Sequence, residues 1–210
     1  MDIKLITFTP NPEEVCARAA WNCTHTEEPD FKEGEAEALV RRVVALGHTS
    51  ILEFADFVFE IKGISRVTSH QLIRHRIASY AQQSQRYNTY DTLDVVIPHS
   101  MLLFEDRINQ INELTLKLYK DMLLSGVPGE DARYIFPHNT KTSLFVKMNA
   151  RTLREFFALR CCKKAQQEIQ DMANCMYKLA QEAAPALFSG KIVPCGTKKE
   201  CARCPGYGLK

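Results

Sequence analysis

Residues 3 to 8 alternate between the two faces of an extended chain, which predicts a strand. Asn11-Pro12-x-Glu14 then offers an N-cap, a proline at the first helical position and a capping carboxylate, so a helix runs to about Ala20. A second helix spans about Glu33 to Leu46, and Gly47 is placed to end it with a left-handed C-cap. Phe57, Phe59 and Ile61 alternate with Asp56, Val58 and Glu60, the pattern of a half-buried strand that Gly63 closes.

Ile64 to about Arg76 reads as a helix, Ile77 to Gln85 as a loop, and Arg86 to Ile97 as a strand stopped by Pro98. Ser100 is positioned to cap a long helix in which Phe104, Ile108, Ile111, Leu118 and Met122 recur at three- and four-residue multiples, with Gly126 just past its end. That face predicts a core stripe. Thr142 to Met148 alternates as another strand. Asn149 to about Ala184 is mostly helical, with Leu153, Phe156, Ile169, Met172, Met176 and Leu179 inward. Strands and helices do not alternate regularly and the strand faces are half polar. The expected fold is therefore α+β, an antiparallel or mixed twisted sheet flanked by long helices. A length of 210 residues favours a single domain covering residues 1–210, with 185–210 as a cysteine-containing tail.

Charge changes this picture locally. The chain carries 27 Lys+Arg against 25 Asp+Glu, a net charge of only +2, which argues against a general nucleic-acid binder and makes a pocketed anion the expected partner. Yet Gly63 to Tyr90 holds Arg66, Arg74, Arg76, Arg86, His70 and His75 without one Asp or Glu. Cations grouped without acids call for an anion from outside. On a helix Arg74, His75 and Arg76 would fan about 100° apart and suit a large ligand or two ligands. Gln71 and Arg74, at i and i+3, can present an amide beside a guanidinium, and Ser84 with Arg86 can bring a hydroxyl and a bidentate fork to one phosphate. The bland alternative is a solvated helix end favoured by the helix dipole. Another is an RNA-binding module that stacks bases on Tyr80, Tyr87 and Tyr90, although the rest of the chain supplies no basic groove. Ser84 has no general base beside it in sequence and is not expected to be a nucleophile.

Met1 to Phe8 lacks the basic start and apolar run of a signal peptide, and no later stretch could span a bilayer. A cytoplasmic protein with no membrane partner is expected, its eight cysteines mainly free thiols. Cys195, Cys201 and Cys204 include a Cys-x-x-Cys pair, but three thiolates without a nearby histidine leave the fourth zinc ligand missing, so no metal is expected.

Gln71-x-x-Arg74-His75-Arg76, seven residues to Ser84, then Gln85-Arg86-Tyr87 resembles the signature of the flavin-dependent thymidylate synthases. The resemblance extends through Gly47-His48-Thr49-Ser50 with Glu53, Gly63-Ile64-Ser65-Arg66, Ala132-Arg133 before Pro137, Asn149-Ala150-Arg151, Leu159-Arg160, Ala165-Gln166 and Glu168-Ile169. It implies a homotetramer with active sites between subunits, making dTMP from dUMP with FAD, NADPH and methylenetetrahydrofolate. By this resemblance FAD contacts Ser50, Arg74, His75, Arg76, Gln82, Asn149 and Arg151, and Glu155 stands at a further flavin-contact position. His48 lies by the flavin ring. Gln71, Arg74, Gln82, Gln83, Ser84, Gln85, Arg86, Arg133 and Arg160 surround dUMP, and Arg160 is the catalytic residue, favouring the N3-deprotonated uracil. Phe54, Ala81, Glu155 and Gln167 depart from the residues usual in the family. No GxGxxG follows a strand, which fits a flavin held by arginines and amides rather than by a glycine-rich turn.

Overall fold

A computed structural model of the chain describes residues 1–192. Cys195, Cys201 and Cys204 lie outside the described residues. The elements run β1 (Asp2–Phe8), α1 (Pro12–Asn22), α2 (Glu35–Ala45), β2 (Asp56–Ser65), α3 (Arg66–Leu72), β3 (Ser79–Gln82), α4 (Glu105–Leu124), α5 (Gly129–Ala132), β4 (Lys141–Asn149), α6 (Ala150–Arg160) and α7 (Gln167–Ala183). The strands form one four-stranded sheet in the order β1-β2-β4-β3. Its pairing is antiparallel. Thr9 N donates to Asp56 O, whereas the other end of β2, at Gly63, lies against Met1. Likewise Ala150 N donates to Ala55 O and Arg66 N to Thr140 O, so β2 and β4 run in opposite directions. The fold is α+β, as expected.

By packing, the chain divides into two compact units. The first comprises Met1–Asp2, Ile61–Arg74 and Tyr80–Phe145; the second comprises Ile3–Glu60, His75–Ser79 and Val146 onward.

The second unit owns a closed apolar core. Phe57 and Phe59 from β2, Met148 from β4, Leu153, Phe156 and Phe157 from α6, and Ile169, Met172 and Met176 from α7 are all essentially inaccessible to water. Phe57 stacks on Phe8 at 5.9 Å and meets Phe188 edge-on at 5.4 Å. Ala186, Leu187 and Phe188 are buried too, so the start of the expected tail belongs to the core. The helix read through 149–184 is in fact two. Cys161 ends α6, and Gln166 restarts the chain by capping α7, its side chain accepting from Ile169 N.

In the first unit several readings change. The helix expected to reach Arg76 is α3, which Ser65 caps by accepting from Thr68 N and which closes at Ile73, so Arg74, His75 and Arg76 lie beyond it and their helical fan does not form. The expected loop contains β3. Tyr80 and Gln82 face inward there, the Tyr80 hydroxyl donating to Leu72 O and the Gln82 amide to Ser69 Oγ and Thr142 Oγ1. Arg86–Ile97 is not a strand, because Ser84 and Asn88 close turns at its start; only the Val95–Thr140 bridge survives.

The long helix begins at Glu105 after a 3₁₀ turn over His99–Phe104, so Ser100 is not its cap. Its expected core stripe is mostly outside: Phe104, Ile111 and Leu118 are 51%, 60% and 47% exposed and only Ile108 and Met122 are half-buried, while Tyr119 is 1% exposed and packs with Tyr90 and Phe136. Asn11 precedes α1 as expected, but at φ 46° its side chain makes no capping bond. Gly47 does take the left-handed cap, at φ 87°. No helix among the described residues is long and apolar enough to cross a membrane.

Candidate active site

The first unit gathers Gln71, Arg74, Gln82, Gln83, Ser84, Gln85, Arg86 and Arg133, the expected nucleotide set apart from Arg160. Strand β3 and the turn after it set their order. Gln82 is fixed by its bonds to Ser69 and Thr142, at 3.1 and 3.2 Å. Gln83 N donates to Ser143 O, and the Ser143 hydroxyl donates to Gln83 Oε1. Ser84 Oγ accepts from Arg86 N at 3.0 Å, a serine turn that leaves the hydroxyl proton available as a donor. Gln85 is buried and its amide nitrogen has no hydrogen-bond partner. Arg86 stands over the Tyr87 ring at 5.4 Å.

Glu130, which the sequence reading did not single out, enters this set from 44 residues along the chain. Its carboxylate pairs with Arg86 Nε, and its backbone carbonyl accepts from Arg133 Nε at 2.9 Å. The acid-free segment therefore does have an internal anion for Arg86. Among the described residues no carboxylate forms an ion pair with Arg66, Arg74 or Arg76. The signal that could have found Glu130 is its position three residues before Arg133, opening a helical turn.

The second unit gathers His48, Ser50, His75, Arg76, Asn149, Arg151, Glu155 and Arg160. Arg160, at the end of α6, donates from Nε to His75 Nε2 at 3.1 Å. The His75 ring meets the buried Phe156 edge-on at 4.9 Å. Burial, and then the Arg160 charge, push the His75 imidazole down to a pKa of about 4, so at neutral pH it is uncharged and accepts through Nε2. A neutral acceptor can hold the guanidinium without removing its charge.

Asn149 caps α6 through Oδ1, accepting from Thr152 N at 2.9 Å. Arg151 pairs with Glu53 across 98 residues, and Glu155 lies 3.9 Å from Arg151 Nε as an exposed i, i+4 partner. A cleft of about 210 Å³ opens beside them, bounded by Thr49, Arg151, Arg154, Glu155, Ala158, Lys191 and Ile192. Arg154 is an addition to the expected set. It reaches Leu187 O and Ser189 O, and burial lowers its pKa below the ordinary range. His48 and Ser50 are exposed, His48 N closing the end of α2 on Val43 O. Among the described residues no group of three or more His, Cys, Asp or Glu could hold a metal ion. Cys16 and Cys161 are buried thiols pushed up to about 12, which suits packing rather than nucleophilic attack.

This combination of an antiparallel α+β fold and arginine-rich amide clusters has a counterpart among known proteins. Residues 4–186 match the family model described as thymidylate synthase complementing protein. A flavin-dependent thymidylate synthase of Geobacter sulfurreducens is 41% identical over 220 residues, covering all of this chain and 93% of the relative. Those of Pyrococcus furiosus and Clostridium tetani are 42% and 37% identical, covering 87% and 89% of this chain and 78% and 84% of theirs. The chain belongs to the flavin-dependent thymidylate synthase family.

Proposed function

We propose that the protein converts dUMP to dTMP by reductive methylation in the cytoplasm. Methylenetetrahydrofolate gives up its methylene group, NADPH gives up a hydride, and tetrahydrofolate and NADP⁺ are released. The observation that carries the reading furthest is the run Gln82–Arg86 on β3 and its turn. There an anchored amide, a hydroxyl with a free proton and a guanidinium follow one another within five residues. That donor set suits a nucleoside monophosphate. Its fork and hydroxyl take phosphate oxygens, and its amides take a base or sugar edge.

The residues of the second unit fit an anionic dinucleotide. Arg151, Arg154 and Lys191 border one cleft with Glu155 as its only carboxylate among the described residues, a donor set that would take a pyrophosphate. Ser50, Arg76, Asn149 and Arg151, with His48 by the ring and Arg74, His75 and Gln82, would hold FAD; Glu155 turns toward Arg151 and acts on the cofactor only through that guanidinium. When bound, FAD supplies hydride transfer between NADPH and the nucleotide.

The chain's own contribution is electrostatic. The His75 that accepts from Arg160 Nε is neutral, so this contact adds no opposing charge to the guanidinium. Placed at the uracil ring it favours loss of the N3 proton, which makes C5 a better nucleophile toward the methylene group. The remaining nucleotide contacts are Gln71, Arg74, Gln83, Gln85 and Arg133. The reading calls on no cysteine nucleophile.

The apolar stripe of α4, exposed at Ile111, Leu114 and Leu118 and preceded by the exposed Phe104, supports assembly with further copies of the chain, and we read the active protein as a homotetramer whose sites are completed at subunit boundaries. The test is direct: purified protein should take up FAD, oxidise NADPH faster once dUMP is added, and form dTMP. RNA binding without flavin uptake would replace this reading with the nucleic-acid one.

A further inference from the structure

Arg66 is a half-buried charge of the first unit with a buried, unsatisfied nitrogen. It begins α3, immediately after the Ser65 cap, and its side chain is half buried. One terminal nitrogen donates to Gln83 O at 3.1 Å. Its Nε is buried and has no hydrogen-bond partner among the described residues. Among the described residues no carboxylate pairs with it. The groups within electrostatic reach are the Tyr90 phenol and a second cation, Arg133.

A cation held this way is costly to the fold. Desolvation of the guanidinium and repulsion by Arg133 both oppose its charge, lowering its pKa, and one bond to a neutral carbonyl does not replace a counter-ion. Other guanidiniums of the chain illustrate the contrast: Arg86 has Glu130, and Arg151 has Glu53. Packing gives no reason for a charge here, because an unbranched apolar side chain would fill the same space without the penalty. Its one partner does suggest a reason. Gln83 O lies between Gln82 and Ser84, so the Arg66 fork grips the backbone where β3 ends and the donor turn begins.

We propose that Arg66 is a positioning residue for the nucleotide site, fixing the Gln82–Arg86 donor run through the Gln83 carbonyl and adding uncompensated positive charge toward the nucleotide phosphate. The inference rests on the dUMP reading above and assigns to Arg66 a role that the expected contact set does not include.

The test uses the full chain with Arg66→Met and Arg66→Lys, measuring dUMP affinity at several salt concentrations, kcat, KM and the thermal midpoint. For Arg66→Met the expected result is dUMP binding weakened about tenfold or more, the range for loss of a charged hydrogen-bonding group. Its salt dependence should be shallower, the effect should fall on KM more than on kcat, and the thermal midpoint should be unchanged or higher. Arg66→Lys, which keeps the charge and loses the fork, should recover part of the affinity. Affinity within twofold of wild type in Arg66→Met overturns the proposal. So does a loss of affinity that tracks a fall in thermal midpoint in both variants, since that marks a structural role. Failure of the wild-type protein itself to bind dUMP would overturn the functional reading as well, and is thereby distinguished from failure of Arg66 alone.

Discussion

The two compact units differ in where their apolar residues are covered. In the second, phenylalanines from β2, α6 and the segment after α7 turn inward and exclude water. In the first, the longest helix buries Tyr119 and Asn112 but leaves Ile111, Leu114, Leu118 and Leu124 exposed. The second unit also leaves single apolar side chains outside, Leu46, Phe54 and Ile77 among them, but the long exposed row along one helix belongs to the first. Hydrophobic periodicity therefore reports that a face is to be covered, and does not say by what.

Truncation measures this contrast most directly. Phe57 is fully buried against Phe8 and Phe188, so Phe57→Ala should lower unfolding free energy by about 3 to 5 kcal/mol in urea titrations. Leu118→Ala, on the exposed stripe, should change the stability of the isolated chain by only about 0.5 kcal/mol. A charge there, Leu118→Asp, should shift the assembly toward smaller species in sedimentation. Equal losses of chain stability at Phe57 and Leu118 would erase the distinction between the units.

A second contrast concerns charge. Arg160 in the second unit is held by a neutral histidine, whereas Arg86 in the first is neutralised by a carboxylate. Arg160→Ala should reduce dTMP formation about a hundredfold or more, as for removal of a strong preorganised electrostatic contact. Turnover near wild type would take Arg160 out of its role. The neutral partner can be checked by pH. His75 has a folded pKa of about 4 against 6.5 ordinarily, so the unfolded chain takes up the proton first. The His75 contribution to stability is then fully present above pH 6.5, declines as pH falls toward 4, and changes no further below that. An NMR titration placing His75 near 6.5 would contradict its burial beside Arg160.

How far these features were legible depends on the range of the interaction that creates them. The alternation at Phe57, Phe59 and Ile61 and the glycine stop at Gly47 are local, and both appear as read. Strand β3 was missed because Ser79–Gln82 carries little alternation of its own; side-chain bonds from Tyr80 and Gln82 to Leu72, Ser69 and Thr142 hold it. Arg74 to Arg76 left the helix for a related reason. Ser65 and Ile73 delimit α3, and His75 is engaged by Phe156 and Arg160, more than 80 residues later. The motif residues divide between the units, Gln71, Arg74 and Ser84 to Arg86 in the first and His75 and Arg76 in the second. Glu130 was not legible, because an acid 44 residues from Arg86 gives no local sign that it will neutralise it.

Glu130 also supplies the smallest and most discriminating test. Its carboxylate holds Arg86 while its carbonyl holds Arg133, so two of the four expected nucleotide arginines are engaged by one residue. An incoming phosphate must compete with that carboxylate for Arg86. The pair is about half exposed, so the competition is worth little, and Glu130→Gln should tighten dUMP binding by about fivefold at most. The Arg133 contact, made by the backbone, should persist. Because the gain comes from an exposed ion pair, it should shrink as salt is raised and vanish in an Arg86→Ala background. Weaker dUMP binding in Glu130→Gln would mean that the carboxylate orients Arg86 for phosphate instead of competing with it, and the two kinds of arginine environment would then serve one purpose.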